Sequence, residues 1–297
     1  MTFKSGFVTI IGRPNVGKST LLNKLTGEKI AIMSDKPQTT RNTIRTVVTE
    51  DNFQVIFIDT PGIHRPKNKL GEYMVNIAQS TLNEVDVVLF LVEATDIKPG
   101  PGDIFIAEQL KELDANVFLV INKIDLINKE QILSVIANYK DLLDFKAVIP
   151  ISAALSDGLS ILKQEIVRVL PEGPKYFPND MLTDQPEKLI AAELIREKIL
   201  HLVSDEVPHG VGVEILTFKE RKNKDIVDIQ ANIYCEKDSH KAILIGKEGK
   251  MLKKIGSLSR VDIQNLLGTK VFLELWVKVK PDWRNSQAML KTLGYSD

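Results

Sequence analysis

Gly12-Arg13-Pro14-Asn15-Val16-Gly17-Lys18-Ser19 follows the apolar run at 7–11 and opens a helical pattern at 19–25 that stops before Gly27. A strand, a glycine-bounded turn and a helix N-terminus form a frame that grips phosphate. The glycines let the backbone come close, its N–H groups curl around the anion, and the helix end adds positive potential. Lys18 then reaches the β- and γ-phosphates, and Ser19 presents its hydroxyl to Mg²⁺. The neighbouring sequence supplies a sheet for such a loop. Apolar runs at 55–58, 85–92, 117–121 and 147–151 join 7–11, and helical patterns at 19–25, 70–82, 103–113, 130–142 and 159–170 alternate with them. Short apolar strands alternating with helices predict an α/β domain over 1–170, a mostly parallel sheet with helices on both faces. Ligands in such a sheet bind at the C-terminal strand ends.

Two further strand ends carry chemistry. Asp59-Thr60-Pro61-Gly62 closes 55–58, where a carboxylate can hold Mg²⁺ through water and the Gly62 amide can sense a γ-phosphate. Asn122-Lys123-Ile124-Asp125 closes 117–121. A carboxylate there accepts two hydrogen bonds from the N1–H and N2–H₂ edge of guanine. Adenine lacks that donor pair, so Asp125 selects GTP over ATP. Ser152 and Ala153, ending 147–151, offer backbone N–H groups to the base.

In order and spacing these boxes resemble the P-loop GTPases. The resemblance assigns residues 12–19, 59–63 (Asp59, Thr60, Pro61, Gly62, Ile63), 122–125 and 152–153 to nucleotide binding. It assigns Lys18, Thr40 and Gly62 to catalysis, and Ser19, Thr40 and Asp59 to the metal. Switch I falls on Pro37-Gln38-Thr39-Thr40-Arg41-Asn42. Thr40 is preferred as its Mg²⁺ ligand because it directly precedes Arg41, with Thr39 as the fallback. Ile63 stands where Ras-like enzymes carry a water-orienting glutamine, so slow intrinsic hydrolysis raised by a partner is expected. Asn15 resembles the K⁺ ligand of potassium-stimulated GTPases, where the cation takes an arginine-finger role; the alternative is an asparagine that braces the loop.

Beyond residue 170 the pattern changes. Residues 171–186, with four prolines and one glycine, read as a linker. A helix at 187–203, strands at 212–218 and 226–234, helices at 239–244 and 249–266 and a strand at 270–279 then give an α-β-β-α-α-β order. Gly246-Lys247-Glu248-Gly249 joins the last two helices. Such a turn clamps the backbone of about four unpaired nucleotides. The window 237–254 holds six lysines against Asp238 and Glu248, a local source of salt-dependent phosphate affinity. The candidate RNA contacts are Ile245, Gly246, Lys247, Glu248, Gly249, Lys250 and Lys253. Ile243, Ile245 and Leu252 line a base groove or belong to the core. Glu248 is the departure, a negative charge inside the clamp.

The second half resembles a type II KH domain, and the strand 276–280 with Trp283-Arg284 extends the likeness to the Era family of bacterial GTPases over the full length. That resemblance implies GTP/GDP with Mg²⁺, binding near the 3′ end of 16S ribosomal RNA, maturation of the small (30S) ribosomal subunit, and peripheral contact with the inner face of the cell membrane. Service to tRNA modification and membrane-linked signalling are the alternatives.

Composition sets the outer limits. The chain has 297 residues and 39 Lys+Arg against 39 Asp+Glu. Basic surface must therefore be local. The single cysteine, Cys235, excludes an internal disulfide and is expected to be a packing residue in a reducing compartment. No apolar run approaches the roughly 18 residues of a membrane span, and the N-terminus does not read as a signal peptide. A cytoplasmic monomer is expected. The four histidines show no metal-ligand spacing.

Overall fold

The computed structural model describes residues 2–34, 36, 38–61, 66–113, 115–204, 207–222 and 224–295. The chain divides into two compact units. The first comprises Met1–Ala31, Thr40–Arg65 and Met74–Asp184; the second comprises Ile32–Thr39, Pro66–Tyr73 and Gln185–Asp297.

Through residue 184 the elements run β1 (Lys4–Ile11), α1 (Lys18–Thr26), β2 (Ile44–Glu50), β3 (Phe53–Asp59), α2 (Lys69–Leu82, its residues through Tyr73 counted with the second unit), β4 (Val87–Glu93), α3 (Pro101–Leu110), β5 (Asn116–Asn122), α4 (Lys129–Tyr139), β6 (Ala147–Pro150) and α5 (Leu159–Val169). Six strands form one sheet in the order β2-β3-β1-β4-β5-β6, parallel except for β2 against β3. Alternation along each strand sorts side chains between two cores. Val8, Phe57, Leu89, Phe118 and Val120 face α1 and α5 with Leu21, Leu162 and Ile166. Phe90, Leu119 and Ile121 face the other way, with Ile106 and Leu110 of α3 and Val135 of α4. Burial on both faces explains why β3 reads FQVIFID with every residue buried. The order jumps from β3 across β1 to β4, so β1 flanks the point where a doubly wound sheet leaves a crevice.

Two features differ from the sequence expectation. The strand β2 went unread, because IRTVVTE sits at the sheet edge and half its positions are polar. Residues 171–184, read as linker, are laid along the first unit. The Val47 amide donates to the Leu182 carbonyl at 2.9 Å and the Thr183 hydroxyl to the Arg45 carbonyl at 2.6 Å. This strap covers the free edge of β2, which would otherwise expose unpaired backbone groups. Buried Gln54 anchors it further, donating to the Phe177 carbonyl and accepting from the Tyr176 and Phe177 amides at 2.8–3.0 Å. Proline content removes backbone donors and so looks like a linker, but it does not prevent side-chain and carbonyl anchoring.

The second unit contains α6 (Glu187–Leu202), β7 (Gly212–Glu220), β8 (Ile226–Cys235), α7 (Asp238–Ile245), α8 (Lys250–Leu267), β9 (Lys270–Val279) and α9 (Gln287–Thr292). β7 pairs antiparallel and β9 parallel with β8. The apolar face of this sheet meets α6 and α8 through Ile229, Ala231, Ile233, Ile195, Ile199, Ile255 and Ile263. The opposite face is mixed: Gln230 donates to Glu274 at 2.9 Å, and Phe272 and Trp276 are exposed beside them on β9. Cys235 is buried, as a packing residue should be, and burial pushes its thiol pKa up. α9 was unread. It follows buried Trp283, whose indole N–H donates to the Gly210 carbonyl at 2.8 Å.

Candidate functional site

The loop between β1 and α1 has the phosphate-binding shape. Asn15 and Gly17 take left-handed backbone, φ 69° and 102°. A Cβ on Gly12 would press on the Leu91 carbonyl, and one on Gly17 would press on the side-chain amide of Asn122. Glycine at these positions is thus a packing requirement as well as a conformational one. Lys18 folds back over the loop and donates to the Gly12 and Arg13 carbonyls at 2.9 and 2.8 Å. Burial brings its ammonium pKa down to about 8, against the pull of Asp59. Arg13, read from sequence as a backbone contributor, sends its guanidinium to Asp96 and Asp103. Asp103 is fully buried, caps the start of α3 and accepts from the Tyr139 hydroxyl at 3.0 Å. This tether gives no sequence signal, because Asp103 looks like an ordinary first-turn acid.

Below the loop, Asp59 at the end of β3 gathers two hydroxyls. Its Oδ2 accepts from Thr40 at 3.0 Å and from Ser19 at 3.5 Å, and the Ser19 and Thr40 oxygens are 3.5 Å apart. Its Oδ1 is buried and has no hydrogen-bond donor among the described residues. Burial raises the carboxyl pKa to about 6, opposed by Lys18 and the two hydroxyls. A buried carboxylate oxygen without a donor, flanked by two hydroxyls, suits a small hard dication that also takes phosphate oxygens. Either partner would favour the charged form that burial penalises: the cation for Asp59, the phosphates for Lys18. The described residues contain no cluster of three or more His, Cys, Asp or Glu able to hold a metal; a dication shared between one carboxylate, hydroxyls and phosphate oxygens would need none. The geometry also separates the two switch I threonines. Thr40 joins Asp59, whereas the Thr39 hydroxyl donates to the Lys36 carbonyl at 2.5 Å.

A third loop cluster lies at the ends of β5 and β6. Buried Asn122 stitches it to the phosphate loop, donating to the Val16 carbonyl at 2.8 Å and accepting from the Ala153 amide at 2.9 Å. Lys123 is left-handed at φ 66° and pairs with Glu93 at 2.9 Å. The next residues make one 3₁₀ turn, Ile124–Leu126, which presents Asp125 exposed. Ser152 holds the returning loop, accepting from the Leu155 amide at 3.2 Å. Every nucleotide-box residue read from the sequence falls at these strand ends except Gly62 and Ile63, which lie outside the described residues, as does Pro37 of switch I.

In the second unit, Gly246 (φ 71°), Glu248 (φ 53°) and Gly249 (φ 74°) turn the chain between α7 and α8. Lys247, Glu248, Lys250 and Lys253 are exposed, and Glu248 pairs with Lys250 at 2.9 Å. Of the three apolar residues weighed for a groove, Ile243 is exposed, whereas Ile245 and Leu252 pack against the core.

Residues 7–123 match the family described as a 50S ribosome-binding GTPase, and residues 206–284 match the KH domain family. The chain is 64% identical to the curated protein GTPase Era of Ruminiclostridium cellulolyticum, over 99% of its own length and 98% of that protein. Its structure is similar to that of Era in complex with MgGDPNP and nucleotides 1506–1542 of 16S ribosomal RNA, with a TM-score of 0.96 and 42% identity over 99% of this chain and 100% of that one. An Aquifex aeolicus Era variant bound to GDP and AlF₄⁻ matches with a TM-score of 0.95 and 41% identity, over 99% and 100% of the two chains.

Proposed function

The chain belongs to the Era family of GTPases, and on that premise we propose that it works as a GTP-driven switch that binds the 3′ end of 16S ribosomal RNA and serves maturation and assembly of the small ribosomal subunit. The observation that carries this reading is the presence, in one chain, of two different glycine-bounded phosphate loops. One is packed at its base, where Gly12 and Val16 are buried, and adjoins a cation-ready carboxylate; the other is exposed and ringed by lysines.

In the first, the backbone of 12–17 cradles the phosphates and Lys18 reaches their oxygens. Ser19, Thr40 and Asp59 would hold Mg²⁺, whose charge would offset that of the phosphoryl group during transfer. Asp125 reads guanine, while Asn122 keeps the base loop and the phosphate loop in register. On the sequence reading, Gly62 is the γ-phosphate sensor and Ile63 offers no hydrogen-bonding side chain to orient water, so turnover is slow until a partner contributes. Asn15, exposed on its left-handed turn, is the K⁺ candidate; exchanging Na⁺ for K⁺ at fixed ionic strength should raise turnover, and equal rates would remove that role.

In the second, Gly246–Gly249 clamps the RNA backbone and Lys247, Lys250 and Lys253 supply phosphate affinity. The large-subunit description of the matched GTPase family covers residues 7–123 alone. The 16S complex involves a relative matched along the whole chain, so the small subunit is favoured. Among the described residues no helix is long and apolar enough to cross a membrane. The reading places the protein in the cytoplasm with peripheral contact to the inner membrane face, which vesicle flotation would test.

The direct test is binding to a labelled 3′-terminal 16S fragment beside a scrambled RNA and a tRNA, with a GTP analogue or GDP present. Selective binding to the 16S fragment, abolished by Gly246→Asp with Gly249→Asp, is expected. Preference for tRNA, or equal binding to all three, would overturn the RNA assignment.

A further inference from the structure

Ile32–Thr39, the stretch that leads into switch I, belongs to the second unit and lies along α6. Ile32 is buried in that unit's core. The Met33 amide donates to Glu197 Oε1 at 2.9 Å, and His201 Nε2 lies 2.7 Å from the Met33 carbonyl. The Lys36 ammonium donates to the Val203 carbonyl. At the end of the stretch, fully buried Arg196 donates to the Gln38 carbonyl at 3.4 Å and to the Thr39 carbonyl. Glu193 pairs with the same guanidinium.

The position of these two carbonyls is informative. Gln38 is left-handed at φ 59° without being glycine. That conformation is disfavoured by roughly 1–2 kcal/mol for an L-residue and persists only where surrounding structure over-determines it. Arg196 grips the carbonyls on either side of the turn's exit. The next residue in the chain is Thr40, whose hydroxyl lies 3.0 Å from Asp59. A planar guanidinium with several fixed donors can hold two carbonyls in one orientation; an ammonium, a single point charge, holds them less strictly.

We propose that Arg196 is a positioning residue for the GTPase reaction: by fixing the carbonyls of Gln38 and Thr39 it holds the left-handed turn that delivers the Thr40 hydroxyl to the Mg²⁺ site. The inference rests on Thr40 being the switch I metal ligand. Arg196 is not among the residues assigned to the nucleotide or the metal; it acts through the backbone of the ligand-bearing segment. By reciprocity, Mg²⁺ and a γ-phosphate that capture Thr40 also favour the arrangement in which α6 grips residues 38 and 39.

The test compares Arg196→Lys and Arg196→Met in the full-length protein, each alone and with Gln38→Gly. GDP affinity, GTP-analogue affinity, turnover and the Mg²⁺ concentration for half-maximal turnover are measured. Loss of a partner one step removed from a metal ligand weakens metal affinity or activity by roughly ten- to a hundredfold. Arg196→Met should therefore raise the Mg²⁺ requirement and lower turnover within that range, while GDP affinity changes less than about twofold. Arg196→Lys should fall between wild type and Arg196→Met. Gln38→Gly should recover part of the Mg²⁺ requirement, because glycine adopts the left-handed turn without help. A general loss of stability would not be repaired by that glycine and would lower GDP affinity as well.

If Arg196→Met does not fold, with Glu193 left uncompensated, Arg196→Lys and its Gln38→Gly pair decide the matter. An unchanged Mg²⁺ requirement in Arg196→Lys, or no recovery on adding Gln38→Gly, overturns the proposal. Thr40→Ala, run in parallel, separates the two claims. If it leaves the Mg²⁺ requirement intact, the metal-ligand assignment has failed; if it raises the requirement while the Arg196 variants do not, only the positioning role has failed.

Discussion

The two glycine-bounded loops, 12–17 and 246–249, solve the same chemical problem in opposite surroundings. Both open a helix and both use left-handed residues, and on the proposed reading both offer backbone N–H groups and lysine to phosphate. In the first, glycine is demanded by neighbours: a Cβ at 12 or 17 runs into the Leu91 carbonyl or the Asn122 amide. In the second the demand is split: a Cβ on Gly246 would run into Met251, whereas Gly249 has no heavy atom within 4 Å of where a Cβ would stand. Its lysines are exposed, whereas Lys18 is partly buried and has its pKa lowered to about 8 by burial. A loop locked by close neighbours at Gly12 and Gly17 makes a site whose parts fail together. An exposed loop makes a site whose parts add.

The largest expected effect breaks the first loop. Lys18→Met leaves buried Asp59 without its nearby cation and the phosphates without theirs. Losing one partner of a buried charge pair costs about 3–5 kcal/mol, so nucleotide affinity should fall by about a thousandfold in titrations with fluorescent GDP or GTP analogues. A loss near tenfold would mean the loop is more solvated than its geometry implies.

Next comes the matched pair Gly17→Ala and Gly249→Ala. Both residues sit at positive φ, so both variants carry the left-handed penalty of roughly 1–2 kcal/mol. Only Gly17→Ala also displaces Asn122, which ties Val16 to Ala153. It should cost on the order of a hundredfold in nucleotide affinity, adding a buried hydrogen-bond loss of about 1–3 kcal/mol. Gly249→Ala should weaken RNA binding by about tenfold and leave nucleotide binding untouched. Equal effects of the two on their own ligands would erase the distinction between the loops.

The contrast also explains what was legible in the sequence. The proposed nucleotide boxes stand out in the sequence because tightly packed strand-end loops restrict residue types at fixed spacings: Gly12 and Gly17 have no room for a Cβ, and Asn122 ties two of the loops together. The second loop was readable from its two glycines and the α-β-β-α-α-β order, but the roles of its apolar residues were not. Ile243 and Ile245 stand two apart on a short helix, and only packing shows that the first is exposed and the second joins the core. Long-range anchors were silent. Nothing in the letters at 171–184 says that Gln54 and β2 will hold them. Likewise Arg196 reads as one more charge in a helix until its burial and its carbonyl partners are seen.

Smaller effects refine the exposed site. Lys247→Ala, Lys250→Ala and Lys253→Ala should each flatten the salt dependence of RNA binding by about 0.7 in log–log slope, independently of RNA sequence. A double variant should show about twice that change; strong non-additivity would mean these lysines act as a built pocket. Smallest is Glu248→Gln. Removing the negative charge and releasing Lys250 from its surface pair should improve RNA affinity by about threefold, within the under 1 kcal/mol typical of exposed pairs. Weakened binding would mean the carboxylate itself contacts the RNA.

The central claim is that the strand-end loops of the first unit grip a guanine nucleotide chosen by Asp125. Its most direct test is Asp125→Asn assayed with GTP and XTP in parallel, for binding and turnover. The amide N–H of asparagine faces the 2-carbonyl of xanthine where the carboxylate faced the N2 amine of guanine. Preference should reverse, with GTP affinity falling and the XTP-to-GTP ratio rising on the order of a hundredfold. GTP use undiminished in that variant, with XTP still rejected, would contradict the account.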